Sequence, residues 1–230
     1  ASHELRTPIT IVKGFAETLA DIPNLSHSML KSIVDKIVRN CERMDNLIKN
    51  LLTLADIDQL SIGRFQDYDL GILMHSCVET IKTVSPHILV DLKIDTTHSL
   101  KACVDKDLLE LAFMNFLQNS VKYSTPPAHL TIAVFLNPTL QEIEISIQDE
   151  GIGIPEEEIE NIFNRFYTVN KAHSRKLGGA GLGLSIAKTI LDKHKARIKV
   201  TSLLQKGPGS AHGTTIFLWI PQKHQERELG

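Results

Sequence analysis

The hydrophobic positions divide the chain into two regions with different periods. Over residues 1 to about 59, apolar residues recur every three or four positions, which predicts helix. The pattern stops at Asp21-Ile22-Pro23-Asn24 and then resumes, so we predict two helices joined by a turn around residues 21–27. The apolar positions are Leu5, Ile9, Val12, Ala16 and Leu19 in the first helix and Leu30, Val34, Ile37, Cys41, Met44, Ile48, Leu51 and Ala55 in the second.

The apolar stripe on the second predicted helix is broad, because Ile33, Leu47 and Leu54 widen it. Two helices with such stripes cannot bury them against each other alone. A second copy of the hairpin would complete a four-helix bundle, so we expect residues 1–60 to form a homodimer. The alternative is a surface hairpin that packs on its own domain.

Beyond a predicted linker at residues 61–66, the apolar positions alternate and the segments are rich in β-branched residues, which predicts strands. Helical patterns interleave with these strands, and neighbouring strands lie close enough for hairpins. This order predicts an α+β two-layer sandwich over residues 67–222 rather than a doubly wound parallel sheet, followed by a polar tail at 223–230. The strands are predicted at 88–94, 130–136, 142–147, 198–203 and 214–220, and the helices at about 70–83, 105–123 and 182–195.

Composition excludes several classes of protein. The chain has 230 residues with a net charge of −2, so no basic field indicates a nucleic-acid partner. No apolar run approaches the roughly 18 residues that span a bilayer, so we expect no membrane contact from this fragment. The three cysteines are far apart and form neither a disulfide framework nor a Cys-x-x-Cys motif. The absence of an initial methionine suggests a fragment of a longer protein.

Six of the 13 glycines lie between residues 151 and 183, in two loops. The first loop, Asp149-Glu150-Gly151-Ile152-Gly153, follows a strand whose isoleucines at 143, 145 and 147 alternate onto one face. Asp149 continues that alternation and should therefore point to the apolar side. A buried carboxylate needs a partner, and the exocyclic amino group of adenine is a suitable donor. The alternative is an aspartate that caps the turn after the strand.

The second glycine loop, Gly178-Gly179-Ala180-Gly181-Leu182-Gly183, runs directly into a predicted helix over Ser185–His194. Glycines that lead into a helix N-terminus are typical of phosphate binding, because free N–H groups and the helix dipole face the anion. The P-loop motif is absent. The Rossmann fingerprint places its glycines directly after a strand, whereas a polar, basic stretch precedes them here. A glycine-rich surface linker is the alternative.

The helix predicted at 105–123 carries Asn115, Asn119 and Lys122 within about 60° of one another. Two asparagines four residues apart are unfavourable inside a helix. They are better explained as ligands of Mg²⁺, which takes one or two protein oxygens and completes its shell with water and phosphate. An amide pair on a solvated edge is the alternative.

Taken together, these motifs resemble the catalytic core of a sensor histidine kinase, the ATP-dependent half of a bacterial two-component system. The residues 2–8, Ser-His-Glu-Leu-Arg-Thr-Pro, resemble the phosphoacceptor box of that family. Residues 115–123 resemble its N box, 149–153 its first glycine box, 162–167 its F box and 179–184 its second glycine box. The resemblance implies a helical hairpin that dimerises into a four-helix bundle, followed by an ATP-binding α+β sandwich of the Bergerat type.

The resemblance also implies roles for individual residues. His3 would accept the γ-phosphoryl group of ATP, and Glu4 would orient or polarise its imidazole. Thr7 would place a water for phosphatase activity towards the phospho-aspartate of the partner, the receiver domain of a response regulator. The implied Mg²⁺ ligand is Asn119, assisted by Asn115. The other residues implied in nucleotide binding are Lys122, Tyr123, Asp149, Gly151, Gly153, Arg165, Gly179, Gly181, Leu182 and Gly183.

Three positions depart from the family pattern. Ser120 stands where the N box usually has alanine, and Asn170 stands where aspartate is common. Gly213 is the only glycine where a Gly-x-Gly is frequent, so we regard it as a weak site. By resemblance the fragment would lie on the cytoplasmic side, with a possible inner-membrane attachment in a preceding region.

Two other functions are compatible with parts of the sequence. Chaperones, topoisomerases and mismatch-repair proteins share the same nucleotide fold, but they lack a His-Glu-x-x-Thr-Pro helical hairpin ahead of it. A dimeric scaffold that binds ATP without turnover, or that acts mainly as a phosphatase, is the non-kinase alternative.

Overall fold

The computed structural model describes residues 2–22, 25–59, 64–170, 180–205 and 212–223, and the side chains of residues 2–4, 58 and 59 are outside that description. The predicted helical hairpin is present. Helix α1 (Ser2–Asp21) packs against helix α2 (His27–Gln59). The hydroxyl of Ser26 accepts a hydrogen bond from the backbone N–H of Met29 at 3.3 Å and so satisfies a free amide at the start of α2.

The hairpin leaves much of its apolar surface uncovered within one chain. This agrees with the breadth of the stripes in the sequence, which two helices cannot bury alone. The exposed apolar residues of the hairpin include Ile9, Met29, Leu30, Val34, Val38, Ile48 and Leu52.

A five-stranded mixed sheet forms the second region, in the order β2-β4-β5-β7-β6. Strand β2 pairs in parallel with β4, and the other neighbours are antiparallel, which confirms the predicted α+β class. Strand β5 lies at the centre of the sheet. The strands are β2 (Leu89–Ile94), β4 (His129–Asn137), β5 (Glu142–Asp149), β6 (Arg197–Leu203) and β7 (Gly213–Pro221).

The sequence did not predict a small antiparallel sheet formed by β1 (Gln66–Asp69) and β3 (Lys101–Val104). Each of these strands has four residues, which is too short for a clear alternation of apolar and polar positions. Strand β1 begins at Gln66, the last residue of the predicted linker.

Three helices cover one face of the large sheet: α3 (Leu70–Val84), α4 (Lys106–Tyr123) and α5 (Gly183–Lys193). The aromatic rings of Phe113 and Phe116 on α4 are fully buried. Burial of a side chain of this kind stabilises a fold by about 1.5–3 kcal/mol. Leu47 and Leu54 of α2 belong to the same buried cluster, so the hairpin packs on the sandwich through α2.

A small cluster joins the start of the sandwich to two of its helices. It consists of Arg64, Phe65, Asp105 and His194. The backbone N–H of Asp105 donates to Nε2 of His194 at 3.1 Å, and Nδ1 of His194 donates to the carbonyl of Ile190 at 2.8 Å. The Phe65 ring lies 4.7 Å from the imidazole, and Nε of Arg64 lies 3.4 Å from Oδ2 of Asp105. These contacts fix His194 as a neutral, buried ring.

None of the helices in the described part of the chain combines the length and apolar character of a bilayer-crossing segment.

Candidate functional site

A cavity of about 620 Å³ opens between α4, the ends of β5 and β7, and the start of α5. It brings together residues from the N box and from both glycine boxes. The most distant of these residues, Asn115 and Gly183, are 68 positions apart in the sequence. The residues predicted for nucleotide binding that line it are Asn115, Asn119, Lys122, Tyr123, Asp149, Gly151, Gly153, Gly181, Leu182 and Gly183.

Asp149 lines the cavity and, as predicted, lies on the apolar side of β5, with 8% of its surface exposed. Its Oδ1 accepts hydrogen bonds from the backbone N–H groups of Gly151 at 2.9 Å and Thr214 at 3.0 Å. The side chain of Ser120 also favours the charged carboxylate. Burial raises the pKa of Asp149, and these hydrogen bonds oppose the rise. The two amides bind Oδ1, so Oδ2 is the carboxylate oxygen that a ligand donor would contact.

Both glycines of the first glycine box are required by the close approach of another backbone. A Cβ at position 151 would lie 2.8 Å from the carbonyl oxygen of Tyr123. Gly153 has φ +76°, and a Cβ there would lie 2.1 Å from the carbonyl oxygen of Leu203. The loop is therefore held between the end of α4 and the end of β6.

The first turn of α5 and the Asn115 amide face each other. The Nδ2 of Asn115 donates to the carbonyl of Leu111 at 2.9 Å, which orients the amide. Its Oδ1 lies so close to α5 that a Cβ at Gly183 would be 2.5 Å from it. An amide oxygen thus lies beside the free N–H groups at a helix N-terminus. This pairing suits a cation and an anion bound together, as in a Mg²⁺–phosphate group.

Lys122 is half-buried, and its Nζ lies 5.4 Å from the centroid of the Tyr123 ring. Burial lowers the pKa of Lys122, because the charged ammonium loses hydration. A bound phosphate would compensate for this loss, since an opposite charge favours the ammonium form. The position and charge of Lys122 therefore fit an anionic ligand.

The remaining predicted residues are placed differently. Arg165 is exposed and does not line the cavity. Its neighbour Phe166 connects the F box to the second glycine box, since the Phe166 N–H donates to the carbonyl of Gly181 at 2.8 Å. Gly179 lies outside the described residues.

The phosphoacceptor box lies on α1. The backbones of His3 and Glu4 are helical, and their side chains are outside the described set. Thr7 is half-buried on the same helix. The roles predicted for these three residues stay predictions.

Sequence reasoning missed several polar residues at the cavity. Ser120 was noted only as a departure from the usual alanine, but its side chain favours the charged form of Asp149. Thr214 binds the same carboxylate through its backbone, and no side-chain pattern could have indicated that bond. The imidazole of His212 donates through Nδ1 to the carbonyl of Gly151 at 2.7 Å. Two further cavity residues, Asn46 and Asn50, belong to α2, and their spacing of four on a helix was the available signal.

His129 lies outside the cavity, next to the first glycine box. Its Nδ1 is 3.1 Å from Oε1 of Glu150, and its Nε2 is 3.0 Å from Oδ2 of Asp91. Hydrogen bonds to Asp91 and Glu150 raise the pKa of His129. The described residues contain no group of three or more His, Cys, Asp or Glu side chains that could hold a metal ion.

Comparison with known families identifies the class of protein that this fold and site define. Residues 104–224 match the family of histidine kinase-, DNA gyrase B- and HSP90-like ATPases, and residues 1–60 match the His Kinase A phospho-acceptor domain. The chain belongs to the histidine kinase-, DNA gyrase B- and HSP90-like ATPase family. With the phospho-acceptor domain ahead of the ATPase domain, it is the catalytic core of a two-component sensor histidine kinase.

Similar curated proteins are sensor kinases. The chain is 31% identical over 228 residues to sensor histidine kinase WalK of Bacillus subtilis (strain 168), covering 99% of the chain and 36% of that protein. It is 31% identical over 223 residues to sensor protein kinase WalK of Staphylococcus aureus (strain MRSA252), covering 96% of the chain and 35% of that protein. The chain therefore spans about a third of the length of these relatives.

Solved structures confirm the fold. Acinetobacter baumannii histidine kinase AdeS superposes with a TM-score of 0.68 at 21% identity, over 96% of this chain and 98% of that one. Histidine kinase ThkA, in complex with response regulator protein TrrA, gives a TM-score of 0.71 at 22% identity, over 96% of this chain and 59% of that one. The helical hairpin and the sandwich are thus both shared with histidine kinases.

Proposed function

We propose that this chain transfers the γ-phosphoryl group of ATP to His3 and then passes it to an aspartate of a response regulator. The observation that carries the proposal is the composition of the cavity. A buried carboxylate, an oriented amide oxygen and a helix N-terminus line one cavity, in a chain that begins with a phosphoacceptor box.

The side chains fit the parts of a Mg²⁺–ATP complex. Asp149 would accept a hydrogen bond from the adenine amino group, and the amide oxygens of Asn115 and Asn119 would bind Mg²⁺. Lys122 and the backbone of Gly181–Gly183 would bind the phosphates. ATP supplies the phosphoryl group, and Mg²⁺ neutralises the charge on its phosphates.

On the acceptor side, a neutral imidazole nitrogen of His3 would form a bond to the γ-phosphorus as the bond to the ADP oxygen breaks. Only a neutral imidazole nitrogen has the lone pair that forms this bond. Glu4 would receive the proton from the other ring nitrogen and stabilise the positive charge that develops there. The phosphohistidine would then pass its group to an aspartate of the receiver domain.

We further propose that two chains associate through the exposed apolar residues of the hairpin, and that the response regulator docks on the bundle face below His3. The apolar stripe left uncovered on α2 supports the homodimer. The solved structure of histidine kinase ThkA is a complex with response regulator protein TrrA. Light scattering should give twice the mass of one chain; a single-chain mass over the micromolar range would contradict the dimer.

The test of the kinase proposal is incubation with γ-labelled ATP and Mg²⁺. The wild-type chain should acquire a label that is labile to acid and stable to base, and His3→Gln should acquire none. His27→Gln, an exposed histidine at the start of α2, is the matched control and should label normally. ATP binding without labelling of the wild-type chain would support the scaffold alternative, and a label retained in His3→Gln would exclude His3 as acceptor.

Thr7 is proposed to position the water that removes phosphate from the regulator. Thr7→Ala should keep autophosphorylation within about twofold and slow dephosphorylation of the phosphorylated regulator about tenfold or more, in the range of one lost catalytic contact. Thr10→Ala is the control, because Thr10 is an exposed threonine on the same helix whose hydroxyl donates to the Arg6 carbonyl. Equal dephosphorylation by Thr7→Ala and wild type would rule out this role.

A further inference from the structure

Two amide side chains from the helical hairpin line the nucleotide cavity. They are Asn46, which is exposed, and Asn50, which is half-buried, one turn apart on α2. Between them Leu47 is 1% exposed and belongs to the buried cluster shared with the sandwich. The packing of Leu47 therefore fixes the helix face that presents both amides to the cavity.

Asn46 lies at the same height in the hairpin as the phosphoacceptor, and Asn50 lies one turn further from the connecting loop. His3 is 18 positions before Asp21, the last residue of α1 (21 − 3), and Asn46 is 19 positions after His27, the first residue of α2 (46 − 27). At about 1.5 Å per residue, both lie about 27–29 Å from the connecting loop. Because α1 and α2 pack against each other, the Asn46 segment is level with the His3 backbone.

The cavity that the amides line also contains the expected phosphate site. Asp149, the expected adenine contact, is buried at the end of β5. Helix α2 packs against α5, whose N-terminus at Gly183 is the expected phosphate site. The side-chain amide of asparagine has two N–H donors and can bind phosphate oxygens without adding charge.

We propose that Asn46 and Asn50 donate hydrogen bonds to the terminal phosphate of ATP, so that α2 forms part of the nucleotide site. This inference rests on the proposed kinase function and adds residues from outside the ATPase domain to it. Neutral donors suit a group that must leave, because a hydrogen bond from a neutral amide holds a phosphate less strongly than a lysine does. The two amides also place the γ-phosphate on the side of the cavity that faces the hairpin.

Binding of two nucleotides tests the proposal, since ADP lacks the terminal phosphate. Calorimetry with Mg²⁺ should show the Asn46→Ala/Asn50→Ala double variant binding a non-hydrolysable ATP analogue at least about tenfold more weakly, the minimum expected for lost hydrogen bonds to a charged group. ADP affinity should change less than about twofold, as should both affinities in the control Asn40→Ala. Asn40 lies on α2, and its amide donates to the Lys36 carbonyl. Alanine is the better helix former, so the variants should remain folded.

A charge variant gives a second readout. Asn46→Asp keeps the size of the side chain but adds a negative charge, so it should weaken the ATP analogue further than Asn46→Ala and again spare ADP. An unchanged ratio of ATP-analogue to ADP affinity in all variants would overturn the proposal, as would an equal loss for both nucleotides. Failure of the kinase proposal is distinct: the wild-type chain would then bind ATP but acquire no label on His3.

Discussion

Asp149→Asn is expected to weaken ATP binding at least about a hundredfold while leaving the chain as resistant to unfolding at pH 7 as the wild type, or more so. The asparagine oxygen can still accept the hydrogen bonds that the backbone N–H groups of Gly151 and Thr214 donate to Oδ1. Its –NH₂ group then replaces Oδ2 and turns a donor towards the amino group of adenine. Two facing donors leave both groups without an acceptor, which costs several kcal/mol.

The effect on stability follows from the direction of the pKa shift. Because burial raises the pKa of Asp149, its contribution to stability is fully present below the unfolded pKa of about 3.9 and is lost as pH rises through the folded pKa. Above that pH the wild type carries a buried charge that the asparagine variant does not.

Fluorescent-nucleotide binding and urea unfolding between pH 5 and pH 9 measure the two effects. Glu150→Gln, an exposed carboxylate on the same loop, is the control and should keep ATP binding. Strong ATP binding by Asp149→Asn would show that this carboxylate does not contact the base. A variant that is less stable than wild type at pH 7 would contradict the account of its burial.

Gly213→Ala should destabilise the chain by about 3 kcal/mol or more. Gly213 has φ +129°, and a Cβ there would lie 2.0 Å from the carbonyl oxygen of Asp149. Strained backbone in this region costs about 1–3 kcal/mol for a non-glycine residue, and the clash with backbone adds to it. To relieve this clash, β7 would have to move away from β5. That movement would also break the hydrogen bond from the Thr214 N–H to the Asp149 carboxylate.

Gly14→Ala is the matched control, because Gly14 lies inside α1 and a Cβ there meets nothing within 4 Å. That change should stabilise the helix by up to about 1 kcal/mol. Urea unfolding followed by circular dichroism measures both variants. Equal midpoints for Gly213→Ala and wild type would show that β7 accommodates a side chain at this position.

Periodicity was sufficient to predict the two long helices, the five strands of the large sheet and the helices that cover it. It failed for β1 and β3, which are too short to show a period. It also did not show that the fold requires a glycine at position 213. Gly213 was regarded as a weak site because its motif lacks a second glycine. The requirement for that glycine comes from a backbone 64 positions earlier in the chain, at Asp149, and only the pairing of β5 with β7 brings the two together.

Motif spacing predicted the residues that line the cavity well wherever they lie in one element. The alternation of β5 placed Asp149 correctly, and the helical period grouped Asn115 with Asn119. Partners from distant elements could not be predicted in this way. Ser120 and Thr214 reach Asp149 from α4 and β7, and Asn46 reaches the cavity from the hairpin. Such contacts depend on how the elements pack, which the local pattern does not encode.

The hydrogen bonds of two histidines described above bear on chemical selectivity. The chain contains ten imidazoles, and any neutral one with an accessible lone pair could in principle compete for a phosphoryl group. In His194 the lone pair of Nε2 is directed at the Asp105 N–H and the proton of Nδ1 at Ile190. His129 lies between two carboxylates whose hydrogen bonds raise its pKa, and a protonated ring has no lone pair to offer. The hydrogen bonds of both rings therefore disfavour their phosphorylation relative to His3, the proposed acceptor.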